Sequence, residues 1–215
     1  MIRGSSKIIW PASLLLVFAL ALLGSSLHGD GWFWALGNSL GLLVYALLLI
    51  LVINGRGGLG RSERHRWLGI AVIVTLVGHC AWFLIGDPIT LEYLKLGAPH
   101  YMVAGLLSFG LLLLLSASSL VSYRGRSYST YGSFRNWHKY LSVLAVVTAL
   151  IHILLSGLYF SDYWQWGVLM LVSIGVYFAP KWLKADYSFQ RPYIVLAAIA
   201  AVTVFVLIRM MQIPG

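Results

Sequence analysis

Long apolar runs follow one another nearly from end to end of this chain, joined by short loops. A helix of about 20 apolar residues spans the hydrocarbon core of a bilayer. Inside lipid every backbone N–H and C=O must be satisfied internally, which leaves the α-helix and the closed β-barrel. Barrel strands alternate apolar and polar residues. These runs are continuously apolar, so helices are expected. Composition agrees: of 215 residues, 60% are hydrophobic and 10% charged, with a mean hydropathy of +0.86. Soluble domains carry about 25% charge. The sequence therefore predicts an all-α, polytopic transmembrane bundle, a single domain over residues 1–215 with no length left for a separate soluble domain.

Seven spans are expected, at about Ile8 to Leu27, Trp32 to Ile53, Trp67 to Gly86, His100 to Ser122, Trp137 to Phe160, Trp164 to Leu183 and Tyr193 to Met211. The first is preceded by Arg3 and Lys7 and followed by Gly24-Ser25-Ser26, a pattern that also fits a signal peptide. A retained span is the reading adopted. Asp87-Pro88 ends the third span, a short segment with Glu92 and Lys95 leads to Pro99, and Pro192 suits the first turn of the seventh.

The formal charge of +9 would suggest a nucleic-acid partner in a soluble protein. Here the cations sit between spans, so no nucleic acid is expected. Thirteen of the 15 Lys and Arg residues fall on the N-terminal side of the spans, and only Lys95 and Arg209 fall on the other. Asp30, Asp87, Glu92 and Asp162 lie on that sparse side. The positive-inside rule then puts the N-terminus in the cytoplasm, as in a bacterial inner-membrane protein.

Two spans carry paired histidines. His65 and His79 are fourteen residues apart, as are His138 and His152. On an α-helix fourteen steps of about 100° fall roughly 40° short of four turns and climb about 21 Å. Both members of each pair thus face nearly the same way at two depths. Spans three and five run in the same direction, so the levels match. That is a geometry for two six-coordinate haems between spans three and five, ligated by His65 with His138 and by His79 with His152. An imidazole deep in an apolar helix is a functional hypothesis by default, since lipid cannot satisfy it. The plainer reading of the deep pair is an interhelical hydrogen bond. That of the shallow pair is a solvated interfacial residue. Arg64, Arg66, Arg135 and Lys139 flank the shallow level, where they can pair with haem propionates or serve the positive-inside rule alone. His28 and His100 are read as outer loop residues, and Cys80 as a small packing residue.

No GxGxxG, P-loop, CxxC or zinc spacing occurs. Electrons would have to arrive from something else.

The segments Arg66-Trp67-Leu68-Gly69 with His79, and Asn136-Trp137-His138-Lys139-Tyr140 with His152, resemble the ferric reductase-like transmembrane domain. The likeness is to its MsrQ type, the haem-binding membrane subunits of bacterial methionine sulfoxide reductase systems. The core is shared with NADPH oxidases and covers about residues 64–155. The resemblance implies a b-type cytochrome with two haems, or one. It would carry electrons from a cytoplasmic flavoprotein or quinol to an extracytoplasmic redox acceptor protein. His79, His138 and His152 take the positions of histidines shared by the MsrQ type, and His65 the fourth position, as in the oxidases. FMN is also associated with the MsrQ type, but no residue here is assigned to it. The family core has six spans where this chain shows seven, and no flavin–nicotinamide domain is appended, so oxidase activity does not carry over. A ferric or quinone reductase without a protein acceptor is the redox alternative. A histidine-bearing carrier or assembly subunit is the non-redox one.

Overall fold

A computed structural model describes residues 9–24, 31–54, 59–95, 97–122, 128–182 and 191–212. Every regular element among them is helical: α1 (Ile9–Leu23), α2 (Gly31–Asn54), α3 (Leu59–Gly86), a 3-10 helix (Pro88–Leu94), α4 (His100–Ser122), α5 (Tyr128–Ser156), α6 (Tyr163–Trp182) and α7 (Arg191–Met211). Five of them, α2, α3, α4, α5 and α7, are long and apolar enough to cross a membrane, while the apolar parts of α1 and α6 are shorter. The chain is an integral membrane protein built from helices.

Span four falls on α4 end for end. Spans three and five do not match so closely. α3 begins at Leu59 and α5 at Tyr128, each about two turns before the expected start. Those turns hold Arg, Ser, Glu and Gly among only scattered apolar and aromatic residues. Their backbone continues the helix, but they lack the continuous apolar run that marks a span. α5 ends at Ser156 instead of Phe160, because Gly157 takes φ +65°. A left-handed residue just past the last helical one is a common helix stop, and glycine adopts it without strain.

The helices gather into two compact units, Met1–Gly86 with Gly157–Gly215, and Asp87–Ser156. In the first, α2 is the centre, packed by α3, α7, α1 and α6. Residues 42–50 of α2 are buried without interruption. A helix apolar all round can be buried all round. Its buried polar groups are bonded: Ser39 Oγ donates to Leu36 O at 2.7 Å, and the Tyr45 hydroxyl lies 2.5 Å from Ser173 Oγ, which donates to Leu169 O at 2.6 Å.

α1 buries Leu14, Val17, Phe18 and Ala21, one face at helical spacing. Its last carbonyls have no intrahelical N–H. Side chains from α6 and α7 serve them instead. Gln165 Nε2 donates to Leu20 O at 2.9 Å, and Arg209 Nη2 donates to Ala21 O and, at 3.2 Å, to Gly24 O. Arg209 is only 6% exposed and lies over the Tyr159 ring at 4.8 Å.

In the second unit α4 and α5 form an antiparallel hairpin. Ala104, Ser108, Leu112 and Leu115 of α4, and Ala145, Thr148 and Leu154 of α5, are buried. Ser108 Oγ donates across to Ala145 O at 3.1 Å. The 3-10 helix before it is capped by Asp87, whose carboxylate accepts from Ile89 N at 3.0 Å, with Pro88 in the first position.

Candidate functional site: two histidine cradles

In an α-helix the Cα–Cβ bond tilts toward the N-terminus, so the side chain at position i+4 covers the carbonyl of residue i. Glycine at i+4 uncovers that carbonyl. α2 has this arrangement at Gly37 and Gly41, and α4 has it at Tyr101 and Gly105. Into the first gap comes His79, with Nδ1 2.8 Å from Gly37 O. Into the second comes His152, with Nδ1 2.7 Å from Tyr101 O. A Cβ on Gly41 would lie 2.9 Å from His79 Cε1, and one on Gly105 would lie 2.8 Å from His152 Nδ1. Neither position has room for a side chain.

A carbonyl oxygen only accepts, so Nδ1 of each imidazole is the donor. The neutral ring then keeps its lone pair on Nε2, the form in which histidine ligates metals. The second-shell bond that orients a metal-bound imidazole is commonly an Nδ1–H to a backbone carbonyl. The plainer reading of the deep histidines, an interhelical hydrogen bond, is therefore also present, made through Nδ1 in both. The second ring edge of each site is aromatic: Phe83 meets His79 edge-on at 5.4 Å between centroids, and Tyr101 meets His152 at 6.1 Å.

The shallow histidines lie inside their helices, not at the starts. Six residues of α3 precede His65 and ten of α5 precede His138. Both are half-buried, with Nδ1 withdrawn from the surface. Phe134, one turn before His138, packs on its ring at 5.4 Å. Along α3 and along α5, each pair of histidines therefore sits on one continuous helix, as the fourteen-residue spacing requires.

Arg64 is half-buried, and Arg66, Arg135 and Lys139 are exposed. His100 opens α4 and is exposed. His28 lies outside the described residues. Cys80 is half-buried beside His79. An apolar groove of about 310 Å³ in the first unit is lined by residues that include Leu43, Trp67, Thr75, Ile194 and Thr203, and no histidine reaches it. Among the described residues no three His, Cys, Asp or Glu side chains gather as a metal cluster.

The cradle residues Gly37, Gly41, Tyr101 and Gly105 are not legible as functional from side-chain chemistry, because two of the partners are backbone oxygens. A signal exists for one of them. Gly37-Asn38-Ser39-Leu40-Gly41 is a GxxxG, the pattern that lets another element approach a membrane helix closely.

No family model, curated protein or solved structure matches the chain.

Proposed function

We propose that the chain is a membrane b-type cytochrome that carries electrons across the bilayer. The donor is a cytoplasmic flavoprotein or quinol, and the acceptor is an extracytoplasmic redox protein. His65, His79, His138 and His152 would hold the haem iron, and Arg64, Arg66 and Arg135 would pair with its propionates. The observation that carries this reading is the pair of cradles. Two imidazoles in separate helical hairpins are held by the same device, each with Nδ1–H on a backbone carbonyl, which sets the tautomer that places the lone pair on Nε2.

The residues present fit such a group. Haem iron takes four nitrogens from its porphyrin and needs only axial ligands from the protein. Single histidines held on backbone carbonyls can supply that need. Bound, the group supplies one-electron chemistry. The chain's own residues fix the imidazole tautomer, keep each ring from turning, and surround it with apolar side chains. Unbroken α3 and α5, free of proline, suit a fixed scaffold more than an alternating-access carrier, whose substrate helices are interrupted at mid-membrane. Seven spans with a cytoplasmic N-terminus in a bacterial inner membrane complete the proposal. It rests on the cation distribution and on the resemblance to the MsrQ type of ferric reductase-like domain. FMN remains without an assigned residue.

The test is spectroscopic. Purified protein should show a Soret band, a pyridine haemochrome of b type and low-spin EPR. Protein that is colourless when prepared with haem supplied, or high-spin iron as the main species, would overturn bis-histidine ligation.

A further inference from the structure

His79 is also the inner end of a chain of rings. Its imidazole meets Phe83 at 5.4 Å, Phe83 meets Phe33 at 5.9 Å, Phe33 stacks on Trp82 at 5.3 Å and 24°, and Trp82 meets Trp32 at 6.0 Å. Trp34 packs on Phe83 at 5.1 Å and thickens the middle. All these spacings lie in the range of favourable aromatic pairs. Trp32, at the N-terminal end of α2, is 55% exposed.

The backbone is shaped for these rings. A Cβ on Gly37 would strike the rings of Phe83 and Trp82, and a Cβ on Gly86 would strike Phe33. Trp82 Nε1 donates to Phe33 O at 3.0 Å, which fixes the angle of its indole. An interfacial belt explains aromatics at a membrane surface. It does not explain an interlocked run that begins at a surface tryptophan and ends against an imidazole.

We propose that Phe83, Phe33, Trp82 and Trp32 form the exit for electrons, linking the redox group at His79 to a one-electron acceptor in the solution beyond the N-terminal end of α2. This rests on the haem reading above. One electron is lost at the His79 site and one acceptor is reduced by one electron. No bond forms or breaks, and the rings are unchanged, because they act as a bridge of overlapping π systems and are not themselves oxidised.

The probe is ferricyanide, a one-electron oxidant that does not enter the bilayer. Whole protein reduced with a stoichiometric amount of dithionite is mixed with it in a stopped-flow cell, and the haem absorbance is followed. Trp82→Leu should slow the oxidation several-fold. Its haem content, EPR spectrum and midpoint potential should stay as in the parent. Trp82→Phe keeps a ring without the N–H and should restore most of the rate. Trp32→Leu, a surface change that folding tolerates, should slow the reaction too. Trp67→Leu, at the opposite end of α3, should leave it unchanged. If Trp82→Leu and Trp32→Leu are oxidised at the parent rate, electrons leave by another edge and the exit is wrong, while the haem reading stands. If Trp82→Leu instead loses haem or shifts its EPR spectrum, and Trp32→Leu is silent, the rings serve packing alone and the proposal falls. A parent protein that binds no haem refutes the earlier reading before this test begins.

Discussion

The α2–α3 hairpin and the α4–α5 hairpin hold their histidines in the same way and are otherwise unlike. In each, the second helix offers an imidazole and the first offers a carbonyl with glycine four residues on. Around α2 stand α1, α3, α6 and α7, and 67% of its apolar stretch is buried. α4 and α5 meet mainly each other within their unit. The first hairpin adds the ring chain to the surface, whereas His152 meets the single ring of Tyr101. The shared part is thus small: one donor nitrogen, one carbonyl and one missing side chain. Two helices suffice to build it. The differing part tells what surrounds the site, and by that measure the first hairpin is the better candidate for contact with a partner.

Removing the imidazoles tests the comparison most severely. His79→Ala and His152→Ala should each leave roughly one haem per chain in place of two, by pyridine haemochrome. The sequence assigns these two to one haem, so equal losses are expected. A loss in one variant alone would break the equivalence of the hairpins. His65→Ala and His138→Ala should do the same for the other haem and block reduction from the cytoplasmic side. An unchanged haem content in His65→Ala would reduce the count to one.

How far the sequence alone reaches is clear from these positions. Apolar length located each α-helix but not the 3-10 helix, and at α4 it located both ends. It failed at the starts of α3 and α5, where a helix continues into polar residues and hydropathy is silent. The four histidines were legible from spacing. The tautomers of His79 and His152 were not, since their partners are main-chain oxygens on helices 42 and 51 residues away in sequence. Gly41 and Gly105 look like ordinary small residues of membrane helices until the imidazoles are seen against them.

Support from outside the hairpin sets the next effect. Arg209→Met removes the donor to Ala21 O and Gly24 O and leaves buried carbonyls without it. A loss of about 3 kcal/mol is expected, read as a lower melting temperature in detergent. Haem content should fall less than in His79→Ala, and a loss as large would show that the His79 site depends on the clasp.

The cradles come next. Gly41→Ala and Gly105→Ala should each cost about 1–3 kcal/mol through overpacking. Each should also shift the low-spin EPR g-values as the ring turns away from its carbonyl. Similar shifts in both would sharpen the equivalence. A shift in Gly105→Ala alone would mean that the more enclosed hairpin holds its ring by other contacts. Ser108→Ala, which removes one interhelical bond of the second unit, should cost the least, about 0.6 kcal/mol.

The clasp on α1 also bears on how the protein is made. The second unit is one unbroken stretch of chain, Asp87–Ser156, so its hairpin is complete as soon as α5 leaves the ribosome. The first unit is not. Its opening helix has carbonyls that accept from Gln165 and Arg209, 145 and 188 residues downstream of their acceptors. Contacts so distant in sequence form late, so the clasp on α1 closes only after α7 has been made. Synthesis therefore finishes the middle of the chain first, and the last helix locks the first one in place.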